Sequence, residues 1–253
     1  MPAVDRKIVT DPEALASYAR DEFIASAREA VAARGVFTVA LSGGSTPKRL
    51  YQLLAETSAA SGHTAIDWAR VHLFFGDERS VSPDHADSNY RMAREALIDR
   101  VPVPAANVHR IRGEADSAHD AARQYSRDLL SFFYGTRALS NGLPRFDLVL
   151  LGMGPDGHCA SLFPGTSAVV ERQAWVLAPF VDKFRTHRVT LSAPVLSNAL
   201  RILFLVGGAD KADTVKAVLI GPDRPDVLPS QLIKPLHGRL TWALDRAAAA
   251  GLG

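Results

Sequence analysis

Phe146-Asp147-Leu148-Val149-Leu150-Leu151 runs directly into Gly152-Met153-Gly154-Pro155-Asp156-Gly157-His158. A nearly continuous apolar run of this length is what a strand covered on both faces requires. The glycines, proline and aspartate behind it end the strand and turn the chain. A second run of the same kind, Ile202 to Val206 (ILFLV), ends in Gly207-Gly208-Ala209-Asp210-Lys211 and leads into a helical stretch from Ala209 to Leu219.

Outward from these two runs the same alternation continues. Val36 to Leu41 and Val71 to Phe75 read as shorter strands, and Leu240 to Leu244 as a last one before an Ala-rich terminal helix. Thr10 or Asp11, followed by Pro12, caps a helix whose Leu15, Tyr18, Phe23, Ala27 and Val31 trace one face; Gly35 suits its exit. Thr46 and Pro47 start a second helix with Leu50, Leu53 and Leu54 on one side, and Ser88 caps a third carrying Tyr90, Ala93 and Leu97. A fourth spans Ser117 to Phe133, with Tyr125, Leu129 and one of Phe132 or Phe133 inward. Strands alternating with helices over nearly the whole length predict an α/β architecture: a Rossmann-like, mostly parallel sheet with helices on both faces. No linker, repeat or charge block divides the chain, so one domain over residues 1–253 is expected.

Composition excludes several classes of function. The 47% hydrophobic and 22% charged fractions are those of a globular protein, not a disordered one. A net charge of +2 gives no general attraction for nucleic acid or an anionic membrane, so any anion site has to be local. No window approaches a membrane span, and the first residues carry acidic groups without an apolar core of signal-peptide length. The single cysteine, Cys159, excludes an intramolecular disulfide. The cytoplasm is the expected location.

In open α/β sheets ligands bind beyond the carboxyl ends of the strands, so each strand end matters. The first runs into Ser42-Gly43-Gly44-Ser45-Thr46-Pro47 and then a helix. Gly43 and Gly44 let a ligand approach the backbone, while the helix N-terminus and the Ser45 and Thr46 hydroxyls favour an anion. This is a phosphate cradle lacking the lysine of a P-loop; the alternative is a glycine turn with Thr46 as an ordinary cap. The second strand ends in Gly76-Asp77-Glu78-Arg79, a carboxylate and a guanidinium for the same crevice, or else a solvated loop. Asp84, His85 and Asp87 follow at short spacing, but that spacing matches no known metal site.

Gly152, Gly154 and Gly157 satisfy the GxGxxG pattern of dinucleotide-binding turns. Asp156 would bring negative charge against a pyrophosphate, Pro155 stiffens the turn, and no acid-ended strand follows about 20 residues on, so the dinucleotide reading is rejected. What remains is an Asp-Gly-His turn at a buried strand's end. His158 is placed as a general base and Asp156 as the carboxylate that orients it, against the ordinary reading of a capping or core histidine. Cys159 reads as small packing. Lys211, just inside a helix, offers a second point charge, and Arg185 and Arg188 are weaker candidates of the same kind.

The stretches LSGGSTPKRLY (Leu41 to Tyr51), FFGDERSVSPDHADSNYRMA (Phe74 to Ala93), FDLVLLGMGPDGHCASLFPG (Phe146 to Gly165) and LFLVGGADKA (Leu203 to Ala212) resemble the 6-phosphogluconolactonase family, whose fold is similar to that of sugar-phosphate isomerases and glucosamine-6-phosphate deaminase. The chain departs from it around Lys183 to His187, where the family often has prolines, which leaves the role of Arg185 and His187 open. The resemblance implies hydrolysis of 6-phospho-D-glucono-1,5-lactone to 6-phospho-D-gluconate in the oxidative pentose phosphate pathway. It implies no metal, no organic cofactor, no nucleic acid, no membrane and no obligatory protein partner. Carried over, His158 would activate water, Asp156 would support it and Asp77 would position the site. Gly43, Gly44, Ser45, Thr46, Arg79 and Lys211, with Arg188, would bind phosphate or stabilise the oxyanion. The alternatives are an isomerase or deaminase of the same fold with Asp77 as carbon-acid base, and a non-catalytic sugar-phosphate-binding module. An NAD-dependent enzyme ranks behind both.

Overall fold

The computed structural model describes residues 4–62, 65–136, 139–235 and 237–253. The strands are β1 (Val4–Val9), β2 (Phe37–Leu41), β3 (Val71–Phe75), β4 (Asp77–Arg79), β5 (Val108–His109), β6 (Leu148–Leu151), β7 (Val176–Leu177), β8 (Phe180–Val181), β9 (Thr186–Leu191), β10 (Arg201–Val206) and β11 (Arg239–Asp245). The α-helices are α1 (Pro12–Arg34), α2 (Ser45–Ala60), α3 (Asn89–Ala96), α4 (Ala118–Thr136), α5 (Ala193–Ser197) and α6 (Ala212–Ile220).

Seven strands form one parallel sheet in the order β1-β11-β10-β6-β2-β3-β5. Every residue of β2 and β6 is buried, as strands covered on both faces must be. Local chemistry places the helices. The Asp11 carboxylate accepts the Ala14 N–H at 2.9 Å to open α1, and Gly35, at φ 76°, closes it by donating to the Val31 carbonyl. Ser88 opens α3 in the same way through the Arg91 N–H.

Asp147 interrupts the apolar run of the quoted stretch and is itself buried. Its Oδ2 accepts from the Thr38 N–H and hydroxyl, both at 2.8 Å, and its Oδ1 from Arg34 at the end of α1. One carboxylate thus ties the amino ends of β2 and β6 together, in a place where an unpaired charge would be costly.

Three features differ from the expectations of the sequence. An edge strand, β1, precedes the first helix; its mostly exposed, charge-interrupted run gives little apolar signal. A small antiparallel sheet, β4-β9-β7 with β8 paired to β9, stands beside the main one. The residues after β11 form turns and not an Ala-rich helix. The Asp245 carboxylate takes the Ala248 N–H at 2.7 Å, and so few residues follow that a helical nucleus gains little from propagation.

The strand order reverses between neighbours β2 and β6. From β2 the chain moves to β3 on one side; from β6 it moves to β10 and β11 on the other. Such a switch point opens a crevice at the carboxyl ends of the two strands.

Candidate active site

A cleft of about 260 Å³ occupies that crevice. It is lined by the turn after β2, by Asp77 and Arg79 of β4, by the turn after β6 and by the start of the segment after β10.

The turn after β2 is held from below. The Tyr51 hydroxyl donates to the Ser42 carbonyl at 2.8 Å and accepts from the Ser42 N–H at 3.0 Å. Gly44, at φ 107° and ψ 170°, occupies backbone space that L side chains rarely enter, and α2 begins behind it with no side chain capping its first turn. The N–H groups of Ser45 and Thr46 therefore open on the cleft with the positive end of the helix dipole. A Cβ on Gly43 would stand 2.0 Å from Asn89 Oδ1, so only glycine fits over that amide.

Asn89 also reaches β4. Its Nδ2 donates to the Asp77 carbonyl at 3.0 Å and to Oδ1 at 3.2 Å. Asp77 Oδ2 accepts from the Ser161 hydroxyl at 2.7 Å. Both oxygens of this buried carboxylate are thus engaged by neutral donors. Glu78, the buried acid beside it, serves the fold. It accepts the N–H groups of Arg79, Asn89 and Tyr90 and the Ser88 hydroxyl at 2.7 to 3.0 Å, sealing the start of α3.

The turn after β6 presents the imidazole. His158 Nδ1 bonds Asp156 Oδ1, and the His158 carbonyl accepts the Gly154 N–H at 2.9 Å. A Cβ on Gly154 would stand 2.1 Å from the ring, which explains the glycine there. Phe163 lies against the other side of the imidazole, centroids 4.0 Å apart and planes at 25°. Burial alone would raise the Asp156 carboxyl. The His158 ring, the His158 N–H and Lys183 overcome it and hold the carboxyl well below the usual carboxylate range. The neighbouring Cys159 thiol is buried, and that burial pushes it up to about 12, which leaves it unreactive packing.

Two of the three expected cations, Arg79 and Lys211, line the cleft. Arg79 lines the cleft and donates to the Asp87 carbonyl. Arg188 stands opposite it in the β4–β9 pairing, with its guanidinium over the Phe184 ring, and is not among the residues that line the cleft. Lys211 ends a 3-10 turn at the N-cap of α6, one step earlier than inside the helix, and contacts Asp210 at 2.8 Å. The glycines before it are fixed by Asp245, which accepts the Gly208 N–H at 2.9 Å.

The predicted residues Gly43, Gly44, Ser45, Thr46, Asp77, Arg79, His158 and Lys211 therefore share one cleft; Asp156 bonds His158 from outside the lining, and Arg188, paired with Arg79 in the sheet, does not line it. Arg185 is exposed, and His187 bonds the Ala178 carbonyl away from the cleft. Asp84 pairs with Arg94, and among the described residues no group of three or more His, Cys, Asp or Glu side chains could hold a metal ion. Asn89, Ser161 and Phe163 escaped the sequence reading, although all three lie in the family-like stretches; nothing in their spacing distinguishes them from a cap, a turn and a core aromatic.

A buried-edge imidazole backed by a carboxylate can move a proton, and the helix N-terminus and cations around it can hold an anion. A family model described as glucosamine-6-phosphate isomerases/6-phosphogluconolactonase matches residues 10–242. The 6-phosphogluconolactonase of Synechocystis sp. is 40% identical over 224 residues, 88% of either chain, and that of Nostoc sp. is 38% identical over 247 residues, 97% of either chain. The crystal structure of 6-phosphogluconolactonase from Leishmania guyanensis superposes with a TM-score of 0.85 at 32% identity, covering 99% of both chains. This chain belongs to the glucosamine-6-phosphate isomerase/6-phosphogluconolactonase family.

Proposed function

We propose that this protein is a 6-phosphogluconolactonase, hydrolysing 6-phospho-D-glucono-1,5-lactone to 6-phospho-D-gluconate in the oxidative pentose phosphate pathway. The observation that carries the reading is the His158–Asp156 pair opening on a cleft whose other walls supply Arg79, Lys211 and the bare N-terminus of α2. One α/β domain over residues 1–253 is proposed to do this without cofactor, nucleic acid, membrane or obligatory protein partner. Among the described residues no helix is long and apolar enough to cross a membrane. The cytoplasm is the proposed compartment, since a phosphorylated substrate does not cross membranes unaided.

With Nδ1 committed to Asp156, the other ring nitrogen of His158 takes a proton from water as its oxygen adds to the lactone carbonyl. The ionised Asp156 stabilises the imidazolium so formed. Negative charge collects on the former carbonyl oxygen, where a cation or an N–H of the cleft lowers its energy. When that intermediate collapses, the bond to the ring oxygen breaks and the imidazolium returns its proton to the departing oxygen. Phosphate is held by Ser45, Thr46 and the backbone at Gly43 and Gly44, with Arg79, Arg188 and Lys211 shared between phosphate and oxyanion. Asp77 is assigned to positioning. Its two oxygens are engaged by Asn89 and Ser161, which disfavours a carbon-acid base and with it the isomerase or deaminase reading.

The test generates fresh lactone with glucose-6-phosphate dehydrogenase and follows 6-phosphogluconate through its own dehydrogenase. Acceleration over spontaneous opening is expected, with His158→Ala losing about 10²- to 10⁴-fold in kcat while staying folded. A folded protein giving no acceleration overturns the reading.

A further inference from the structure

The turn between β8 and β9, Asp182 to Arg185, belongs to none of the assigned elements of the site. It nevertheless touches the catalytic pair twice. Lys183 Nζ stands 3.4 Å from Asp156 Oδ2, the oxygen not facing the His158 Nδ1 bond. Phe184 meets Phe163 edge to face, centroids 5.7 Å apart at 78°, and Phe163 is the ring stacked on His158. Phe184 is held in turn by two cations over its faces, the Lys183 ammonium at 5.6 Å and the Arg188 guanidinium at 5.0 Å. Arg185, at φ 51°, closes the turn in the left-handed region and sends the chain into β9, which carries Arg188.

Lys183 is 57% exposed and Phe184 45% exposed. Neither fills the core, and a surface ion pair contributes about 0–1 kcal/mol. Their shared feature is the pair of groups they reach. One grips the carboxylate, and the other backs the ring that covers the imidazole.

We infer that Lys183 and Phe184 are positioning residues that hold Asp156 and His158 in register for proton transfer. The inference rests on the proposed lactonase reaction. Lys183 fixes the second carboxylate oxygen, so that Asp156 offers the first to the ring at one angle. Phe184 keeps Phe163 flat on the imidazole, so the ring cannot swing about its Cα–Cβ bond while its outer nitrogen works. Lys183 also acts through its charge. The charged and titratable groups around His158 are Asp156 on its own turn, Lys183 from the β8–β9 turn, Asp77 and Arg79 from β4, and Lys211 before α6. Among the described residues Lys183 is the lysine or arginine that contacts Asp156 directly, so replacing it changes the charge beside the pair that moves the proton.

The test compares the pH profile of kcat/KM for the full-length wild type, Lys183→Met, Lys183→Arg and Phe184→Ala in the coupled assay. In Lys183→Met the acidic limb is expected to move to higher pH by a few tenths of a unit, about what one screened charge supplies, and Lys183→Arg returns it. Phe184→Ala is expected to lower kcat about three- to tenfold with KM within a factor of two, as loss of alignment does. Melting temperatures should stay within about 2 °C of wild type. An acidic limb that does not move in Lys183→Met, or a Phe184→Ala effect confined to KM or to melting, overturns the inference. An inactive wild type would instead remove the lactonase reading, so the two failures are distinguishable.

Discussion

Arg79 and Arg188 stand directly opposite each other in the antiparallel pairing of β4 with β9, and among the described residues neither forms an ion pair with a carboxylate. Like charges across a strand pair destabilise the sheet. Burial, and then the Arg79 charge, pull the Arg188 guanidinium below its ordinary basicity, though it stays cationic at any working pH. On the proposed assignment, the substrate's phosphate is the anion that relieves this pair. Arg188→Gln should therefore raise KM for the phosphorylated lactone about tenfold or more, the cost of one charge-assisted contact. Its melting temperature without substrate should be equal to or above that of wild type. Steady-state kinetics and a thermal melt check both halves; a lower melting temperature with unchanged KM would make Arg188 structural.

Gly154 tests the geometry of the imidazole turn. A methyl group there would overlap the His158 ring at 2.1 Å and Asp156 Oδ1 at 2.7 Å. Gly154→Ala should displace the pair by the better part of an ångström and lower kcat about 10²-fold. The turn lies at the strand's end and not within the core, so circular dichroism and the melting temperature should stay near wild type. Retention of more than half the activity would mean that the turn adapts and that the close fit is incidental.

What the sequence reveals of this site follows from what a strand end is. Apolar runs such as Leu148–Leu151 and Ile202–Val206 announce themselves by composition, and glycines with charged residues behind them mark the carboxyl edge where ligands bind. Asp77, Arg79, His158 and Lys211 meet in one cleft for that reason. The small sheet is invisible by the same logic: β4, β7 and β8 have three, two and two residues, too few for any periodicity to register. Asn89 and Ser161 are hidden differently. Each acts by reaching Asp77 across an irregular loop or a long stretch of chain, 12 residues for Asn89 and 84 for Ser161, and such contacts leave no local pattern. Asp147 is plain in the sequence as a residue and unreadable in role, because its partners, Arg34 at the end of α1 and Thr38 at the start of β2, lie more than a hundred residues away.

Asp156 couples the site to acid stability. Burial alone would raise its carboxyl, but the bonds and charge of His158, with Lys183, hold it well below the usual carboxylate range in the folded state. A depressed carboxyl contributes stability that is complete above the unfolded value and lost as the pH falls through the folded one. In Asp156→Asn that contribution is absent at every pH. The gap in melting temperature between wild type and Asp156→Asn should therefore be widest near neutrality and close steadily below about pH 4. Melting curves from pH 7 to 3 measure it, and a gap that stays constant across that range would show that Asp156 carries no such linkage.

Asn89 is the residue on which the acid of β4 and the glycine cradle both lean. Its amide nitrogen serves Asp77, its oxygen sits under Gly43, and the side chain is 3% exposed. Asn89→Ala leaves the Asp77 carbonyl and one carboxylate oxygen without their donor, which should destabilise the fold by about 1–3 kcal/mol at any pH. Asn89→Asp keeps the shape but sets a second carboxylate against Asp77 in a buried place. Two such groups cannot both ionise cheaply, so this variant should be the less stable of the two near neutrality and recover on acidification, when one of them takes up a proton. Both should lower kcat, because Asp77 loses its donor, and raise KM, because the phosphate cradle at Gly43 rests on the same amide. Denaturant midpoints at pH 5 and pH 8 separate the cases. If the two variants show the same midpoints at both values, Asn89 does not act on the Asp77 carboxylate and serves only as packing beneath the turn.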